Sequence, residues 1–194
     1  SDIIFSGNQD TGTTFQKAPG SIAWESALTA DGGDVAVSPH PSNPVQSVRY
    51  SSFQNLGAFS RGVFNAAGGL VSGGTPTLTV TSGVTLVPQF VTPLAVNRVD
   101  PSRIMIGGAN SPYESFDQCD NLVELNQGAG LSANGNSAGR SIVYGGRRLG
   151  VDNPDVVYLA DGAGIWVRTA GVGDLINATA YPGADEEQDL ADDD

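Results

Sequence analysis

The sequence predicts an all-β fold, and three observations carry the prediction. Helical periodicity is scarce along the 194 residues. Gly (26) and Pro (11) make up about a fifth of the chain and cluster between short runs rich in β-branched or aromatic residues. A unit built around proline also recurs, at Pro44, Pro101 and Pro154, with spacings of 57 and 53 residues. Taken in order, the candidate strands are 3–6, 35–37, 48–51, 61–65, 77–81 and 94–98, then 103–106, 122–125, 141–144, 156–159 and 165–169. Turn signals such as Gly73-Gly74-Thr75-Pro76 and Asn134-Gly135-Asn136 punctuate them.

The repeat narrows the architecture from barrel, sandwich or propeller to the last. Asp100-Pro101-Ser102-Arg103-Ile104-Met105-Ile106-Gly107-Gly108 is followed by Tyr113-Glu114-Ser115-Phe116-Asp117. Asp152-Asn153-Pro154-Asp155-Val156-Val157-Tyr158-Leu159 is followed by Gly164-Ile165-Trp166-Val167-Arg168-Thr169. An earlier copy runs Pro41-Ser42-Asn43-Pro44 into Val48-Arg49-Tyr50-Ser51, and Ile3-Ile4-Phe5-Ser6-Gly7 reads as the same unit entered one strand late. A proline turn, a strand, a tight turn and a second strand at this spacing suit four-stranded antiparallel propeller blades. The expected fold is therefore a partial ring of about three to four blades over residues 1–184. Residues 185–194 would form an acidic tail or the start of a further blade.

Composition closes off much chemistry. The net charge is −12, but seven acids lie in the last ten residues, and residues 1–184 hold nine basic against fourteen acidic side chains. Only Lys17 and eight scattered arginines could meet phosphates, so nucleic acid is not an expected partner. No apolar run approaches a membrane span, and no basic stretch followed by an apolar one opens the sequence as a signal peptide would. A single cysteine, Cys119, excludes an internal disulfide. A single histidine, His40, lies between two prolines and reads as a turn residue, which excludes a Cys/His zinc site. Phosphate-binding loops, dinucleotide fingerprints, HExxH and EF-hand loops are absent.

Ser115-Phe116-Asp117-Gln118-Cys119-Asp120-Asn121-Leu122 resembles the Asp-box, S-x-D-x-G-x-x-W, of BNR-type β-propellers such as sialidases, sortilin-like receptors and xyloglucanases. Cys119 stands in the Gly slot and Leu122 in the Trp slot, and a more degraded copy keeps Thr169 and Gly173. Gly7-Asn8-Gln9-Asp10-Thr11-Gly12-Thr13 and Ala30-Asp31-Gly32-Gly33-Asp34-Val35-Ala36-Val37 are similar to further segments of that superfamily. The resemblance covers most of the chain. It implies that Ser115 and Asp117 bond backbone groups across a turn.

Candidate sites follow. Asp31 and Asp34 would supply one carboxylate of a glycoside hydrolase; in xyloglucanase-like enzymes the resemblance implies that the second comes from the opposite half of the ring. With Asp10 they read first as acceptors that organise Gly-rich turns. Asp10, Trp24, Arg147 and Arg148 are ligand-binding candidates, Trp24 by stacking on sugar and the arginine pair by holding an anion. Trp166, Tyr50, Tyr113 and Tyr144 read as packing between sheets, and Cys119 as an inert thiol. Sialidases need an arginine cluster and a F/Y-R-I-P segment near the start, of which Arg103-Ile104-Met105 is the only echo, late and without the proline, so that activity is not expected. No cofactor is expected; calcium is the ion that the tail carboxylates would suit, though no loop spacing offers a cage. Asn177-Ala178-Thr179 matches the N-glycosylation pattern.

The expected function is a non-catalytic binding or scaffold module of a larger extracellular or cell-surface bacterial protein, with a glycan or protein as ligand. The alternative is half of a glycoside hydrolase acting on β-linked polysaccharide. In either case the rest of the parent polypeptide, or a second chain, should complete the ring. It would cover the terminal sheet faces, lined by Ile3 and Phe5 at one end and Val167 and Ile176 at the other.

Overall fold

The computed structural model describes residues 3–131, 141–161 and 164–178. Among these, sixteen strands form four sheets, with no α-helix and one 3-10 turn at Gln54–Leu56. Sheet 1 holds β1 (Phe5–Asn8), β2 (Gly12–Gln16) and β3 (Trp24–Leu28). Sheet 2 holds β4 (Ala36–His40), β5 (Asn43–Phe53), β6 (Gly57–Phe64) and β7 (Leu70–Gly74). Sheet 3 runs β9 (Leu94–Val96), β10 (Ile104–Gly107), β11 (Pro112–Ser115) and β12 (Asn121–Glu124), with β8 (Thr79–Ser82) added outside β12. Sheet 4 holds β13 (Ile142–Arg148), β14 (Val151–Ala160), β15 (Ile165–Arg168) and β16 (Ile176–Asn177).

Each of the eleven expected strands overlaps an observed one. Pro44 and Pro154 lie in β5 and β14, and Pro101 just precedes β10, so the repeat marks the second strand of three successive meanders. Four-stranded antiparallel sheets are found only in part. Sheet 1 has three strands among the described residues, and sheet 3 has five because β8 pairs with β12 in parallel. The reason for the extra strand is local. Leu78 and Val80 pack on the buried cluster beside Leu122, while the Thr77 and Thr81 hydroxyls donate to the carbonyls of Asp120 and Leu122.

Two apolar clusters hold three of the sheets together. Val48, Tyr50 and Phe59 of sheet 2 meet Leu94, Ile104, Ile106, Tyr113 and Leu122 of sheet 3. Met105 and Leu125 meet Ile142, Tyr144, Val157, Leu159 and Leu175 on the other side. Strand alternation explains the run Ile104-Met105-Ile106: β10 is covered on both faces of sheet 3, so its successive residues are all buried. Sheet 4 differs. Val157 and Leu159 are fully buried, whereas Tyr158 between them is 46% exposed. Tyr158 belongs to a cross-strand row, Val143–Tyr158–Val167–Ile176, on the outer face of that sheet.

Ile3 and Phe5 do not line an open end. Ile3 borders a cavity against sheet 2 with Val37 and Val45, and Phe5 faces a cavity shared with β4, β9 and β13. Sheets 1 and 2 are joined by backbone hydrogen bonds from Gly33 to Ser52 and from Gln54 to Asp31. Gly12 is required at its turn: its φ is +81°, and a Cβ there would overlap the Leu28 carbonyl.

Candidate ligand-binding groove

The first strands of the meanders converge. Phe5 of β1, residues 35–37 at β4, residues 94–96 and Arg98 at β9, and residues 142–144 of β13 border one cavity of about 390 Å³. Each of these four strands is hydrogen-bonded into its sheet along one edge only among the described residues, which leaves the other edge toward the cavity. Neighbours are fixed by side chain and backbone together. The Arg98 N–H donates to the Tyr144 carbonyl at 3.0 Å, and the Asn97 amide donates to the Pro154 carbonyl at 2.6 Å. Gly145 permits this approach, with φ of +72° and no room for a Cβ against Asn97 Oδ1.

The cavity continues in both directions. At one end it shares Phe5 and Val35 with a hollow lined by Gly7, Gln9, Gly32, Gly33 and Asp34. At the other it shares Val37, Val96 and Arg98 with a hollow lined by Pro39, His40, Pro41, Asn97 and Pro101. His40 accepts the Ser42 N–H on Nδ1 at 3.2 Å, which pins the turn there. The groove walls are apolar side chains and strand edges, with Arg98 as an exposed cation and Asp34 at one end.

The acids expected at a site have structural partners. Asp31 Oδ1 accepts the Asp10 N–H at 2.7 Å, with Asp10 in the left-handed region at φ of +64°. Asp34 Oδ1 accepts the Val35 N–H at 2.9 Å, and Oδ2 accepts the Leu94 N–H at 3.0 Å, tying the Gly-rich turn to β9. Asp31 thus joins the turns flanking sheet 1, and Asp34 joins sheet 2 to sheet 3.

The other candidates are dispersed. Trp24 is 42% exposed at the start of β3, opposite Gln16, and does not border the groove. Arg147 and Arg148 lie at the β13–β14 hairpin, where Arg147 pairs with Asp152 at 3.2 Å and donates to the Gly150 carbonyl at 2.7 Å. Ser115 Oγ accepts the Cys119 N–H at 2.9 Å and donates to Asp117 Oδ1. Asp117 in turn accepts the Asn121 N–H at 2.8 Å and the Asn121 amide at 2.7 Å. Cys119 and Leu122 are fully buried beneath this turn, and Cys119 has a φ of +76° in the slot where glycine is the usual residue. The Gly173 carbonyl accepts from Arg168, and the Thr169 carbonyl from Asn153.

Between sheets 3 and 4 lies a buried charged network that the sequence did not announce. Glu114 receives both terminal nitrogens of Arg168, at 2.7 and 2.8 Å, one from Arg103 at 2.9 Å, and the Tyr144 hydroxyl. Arg103 also holds Asp155 at 2.8 Å. Burial works to raise the pKa of Glu114, but the hydrogen bonds from Arg168, Tyr144 and Arg103 outweigh it, so the carboxylate titrates below its ordinary range. Burial chiefly, with the Glu114 charge, pushes Tyr144 upward. Glu114 is the one charge in a fully buried strand, which is a signal, but its partners lie 11 to 54 residues away and nothing local points to them.

Among the described residues no three His, Cys, Asp or Glu side chains come together as a metal site would need, and no helix is long and apolar enough to cross a membrane. The acidic tail 185–194, with its calcium reading, and the Thr179 of the glycosylation pattern lie outside the described residues. No family model matches the chain, and no curated protein matches it significantly.

Proposed function

We propose that the chain is a non-catalytic binding segment of a β-propeller of BNR/Asp-box type, within a larger extracellular or cell-surface protein. The observation that carries the reading is the convergence of β1, β4, β9 and β13 on one cavity, which is how successive blades would surround an axis. The turn built by Ser115 and Asp117 supports the family resemblance, because its bonds are the ones an Asp-box needs. A long groove with C–H walls and exposed backbone edges suits recognition of an extended ligand such as a glycan strand. Binding of the chain to a panel of immobilised glycans, reduced by Val96→Trp, which would narrow the groove, tests this reading. Absence of any glycan or protein ligand for the full-length protein would contradict it.

A second reading keeps the groove and makes it half of a glycoside hydrolase site, because Asp34 borders one end. Both Asp34 oxygens accept backbone N–H groups, which weighs against a role as acid or nucleophile. Release of reducing ends from a soluble β-glucan by the full-length protein, lost in Asp31→Ala or Asp34→Ala, would favour the enzyme.

A further inference from the structure

Three arginines are buried among the described residues: Arg49, Arg103 and Arg168. Arg103 and Arg168 are held by Glu114. Arg49, 6% exposed, has no ion pair and no side-chain hydrogen bond among the described residues. Its guanidinium carbon lies 3.9 Å from the centroid of the Phe64 ring, so one face of the plane is covered by an aromatic. The N–H groups around the plane's edge have no protein partner among the described residues, and none of them is sealed from solvent, so they are open to a ligand. Burial lowers the Arg49 pKa, with no acidic group acting against it.

Arg49 also borders a cavity of about 450 Å³, together with Ile3, Val37, Pro39, Val45, Ser47 and Asn65. Register places Val37 directly across from Arg49, and Pro39 across from Ser47, on the same sheet face. Asn65 Oδ1 accepts from the Ala67 and Gly69 N–H groups, which orients its amide nitrogen as a remaining donor. The walls therefore combine one cation, a hydroxyl, an amide donor and flat aliphatic surface.

We propose that this cavity binds a uronate residue of an acidic glycan, its carboxylate received in the plane of the Arg49 guanidinium. The planar fork matches a carboxylate bidentately. A single cation balances a monoanion, whereas a phosphate dianion would keep an uncompensated charge. Ser47 and the Asn65 amide would meet ring hydroxyls, and Val37, Pro39 and Val45 would meet the C–H face of the sugar. This inference rests on the binding reading above and names its ligand class.

The test titrates the full chain with trigalacturonate and with its methyl ester by calorimetry. The acid should bind, and esterification or Arg49→Met should each weaken binding by about tenfold or more. Ala66→Trp, at an exposed rim residue of the cavity with Arg49 untouched, should weaken it with melting temperature unchanged. If Arg49→Met fails to fold, the ester comparison and Ala66→Trp decide alone. Equal affinity for acid and ester, indifference to both variants, or no binding at millimolar trigalacturonate overturns the uronate site. A neutral glycan that binds independently of Arg49 would overturn this site and leave the binding reading standing.

Discussion

Glu114 and Arg168, 54 positions apart, form a two-pronged ion pair across the gap between sheets 3 and 4, with side chains 1% and 4% exposed. Neither charge has water to fall back on, and Arg103 leans on the same carboxylate. The pair therefore acts as a lock between these sheets, beside the Arg103–Asp155 pair and the Asn97 and Arg98 hydrogen bonds to sheet 4. Glu114→Gln leaves Arg168 without a carboxylate and Arg103 with Asp155 alone, and should lower stability by about 3–5 kcal/mol. Urea unfolding of the variant beside the parent measures this; a loss under about 1 kcal/mol would mean that water reaches the network.

Acid should weaken the fold through two carboxylates. Glu114 and Asp117 both titrate lower folded than unfolded; burial opposes this in each, and hydrogen bonds from Arg168 and from Asn121 respectively prevail. A depressed folded pKa gives stability that is complete above the unfolded value of about 4.3 and is lost as pH falls through the folded one. Melting temperature should therefore be flat above pH 5.5 and fall below pH 4.5, with a shallower fall in Glu114→Gln. An equal slope in parent and variant would remove Glu114 from the account.

The Cys119 thiol should be silent in the native state. It is fully buried, and burial above all pushes its pKa upward, so thiolate is scarce at neutral pH. An aromatic disulfide reagent should react with it only as fast as the protein unfolds. Complete reaction within minutes under native conditions would contradict the burial.

Asp34 should matter for stability more than for chemistry. Asp34→Ala removes the acceptor for the Leu94 and Val35 N–H groups and should lower stability by about 1–3 kcal/mol. If stability were unchanged while a hydrolytic activity of the parent protein disappeared, the turn-organising role would be wrong.

The all-β class was legible because β-branched runs and Gly/Pro punctuation are local signals. Residues 103–106 and 156–159 could be read as strands with no knowledge of their neighbours. β2, β3 and β7 were not legible: GTTFQ, WESAL and LVSGG are poor in branched apolar residues and become strands by pairing with β1, β2 and β6. The parallel strand β8 shows a different limit. Residues 77–81 read as a strand, but its partner β12 lies about forty residues on, and direction is set by packing of Leu78 and Val80. Among site residues, Asp31 and Asp34 stand out by sitting among glycines, which is also why they serve the turns. Arg49 and Arg98 carried no such flag, because a lone arginine in a strand reads alike whether paired, solvated or waiting for an anion.

The proposal that the chain is part of a larger ring turns on the outer face of sheet 4. Val143, Tyr158 and Ile176 are 44%, 46% and 71% exposed, and with Val167 they make one cross-strand row. An apolar row of this kind marks a surface meant to be covered. Sedimentation velocity of the 194-residue chain, beside a Tyr158→Lys/Val167→Lys variant, tests that directly. The parent chain should associate reversibly with rising concentration, and the variant should stay a monomer. A parent chain that stays monomeric at every concentration, with no apolar dye bound to its surface, would contradict it.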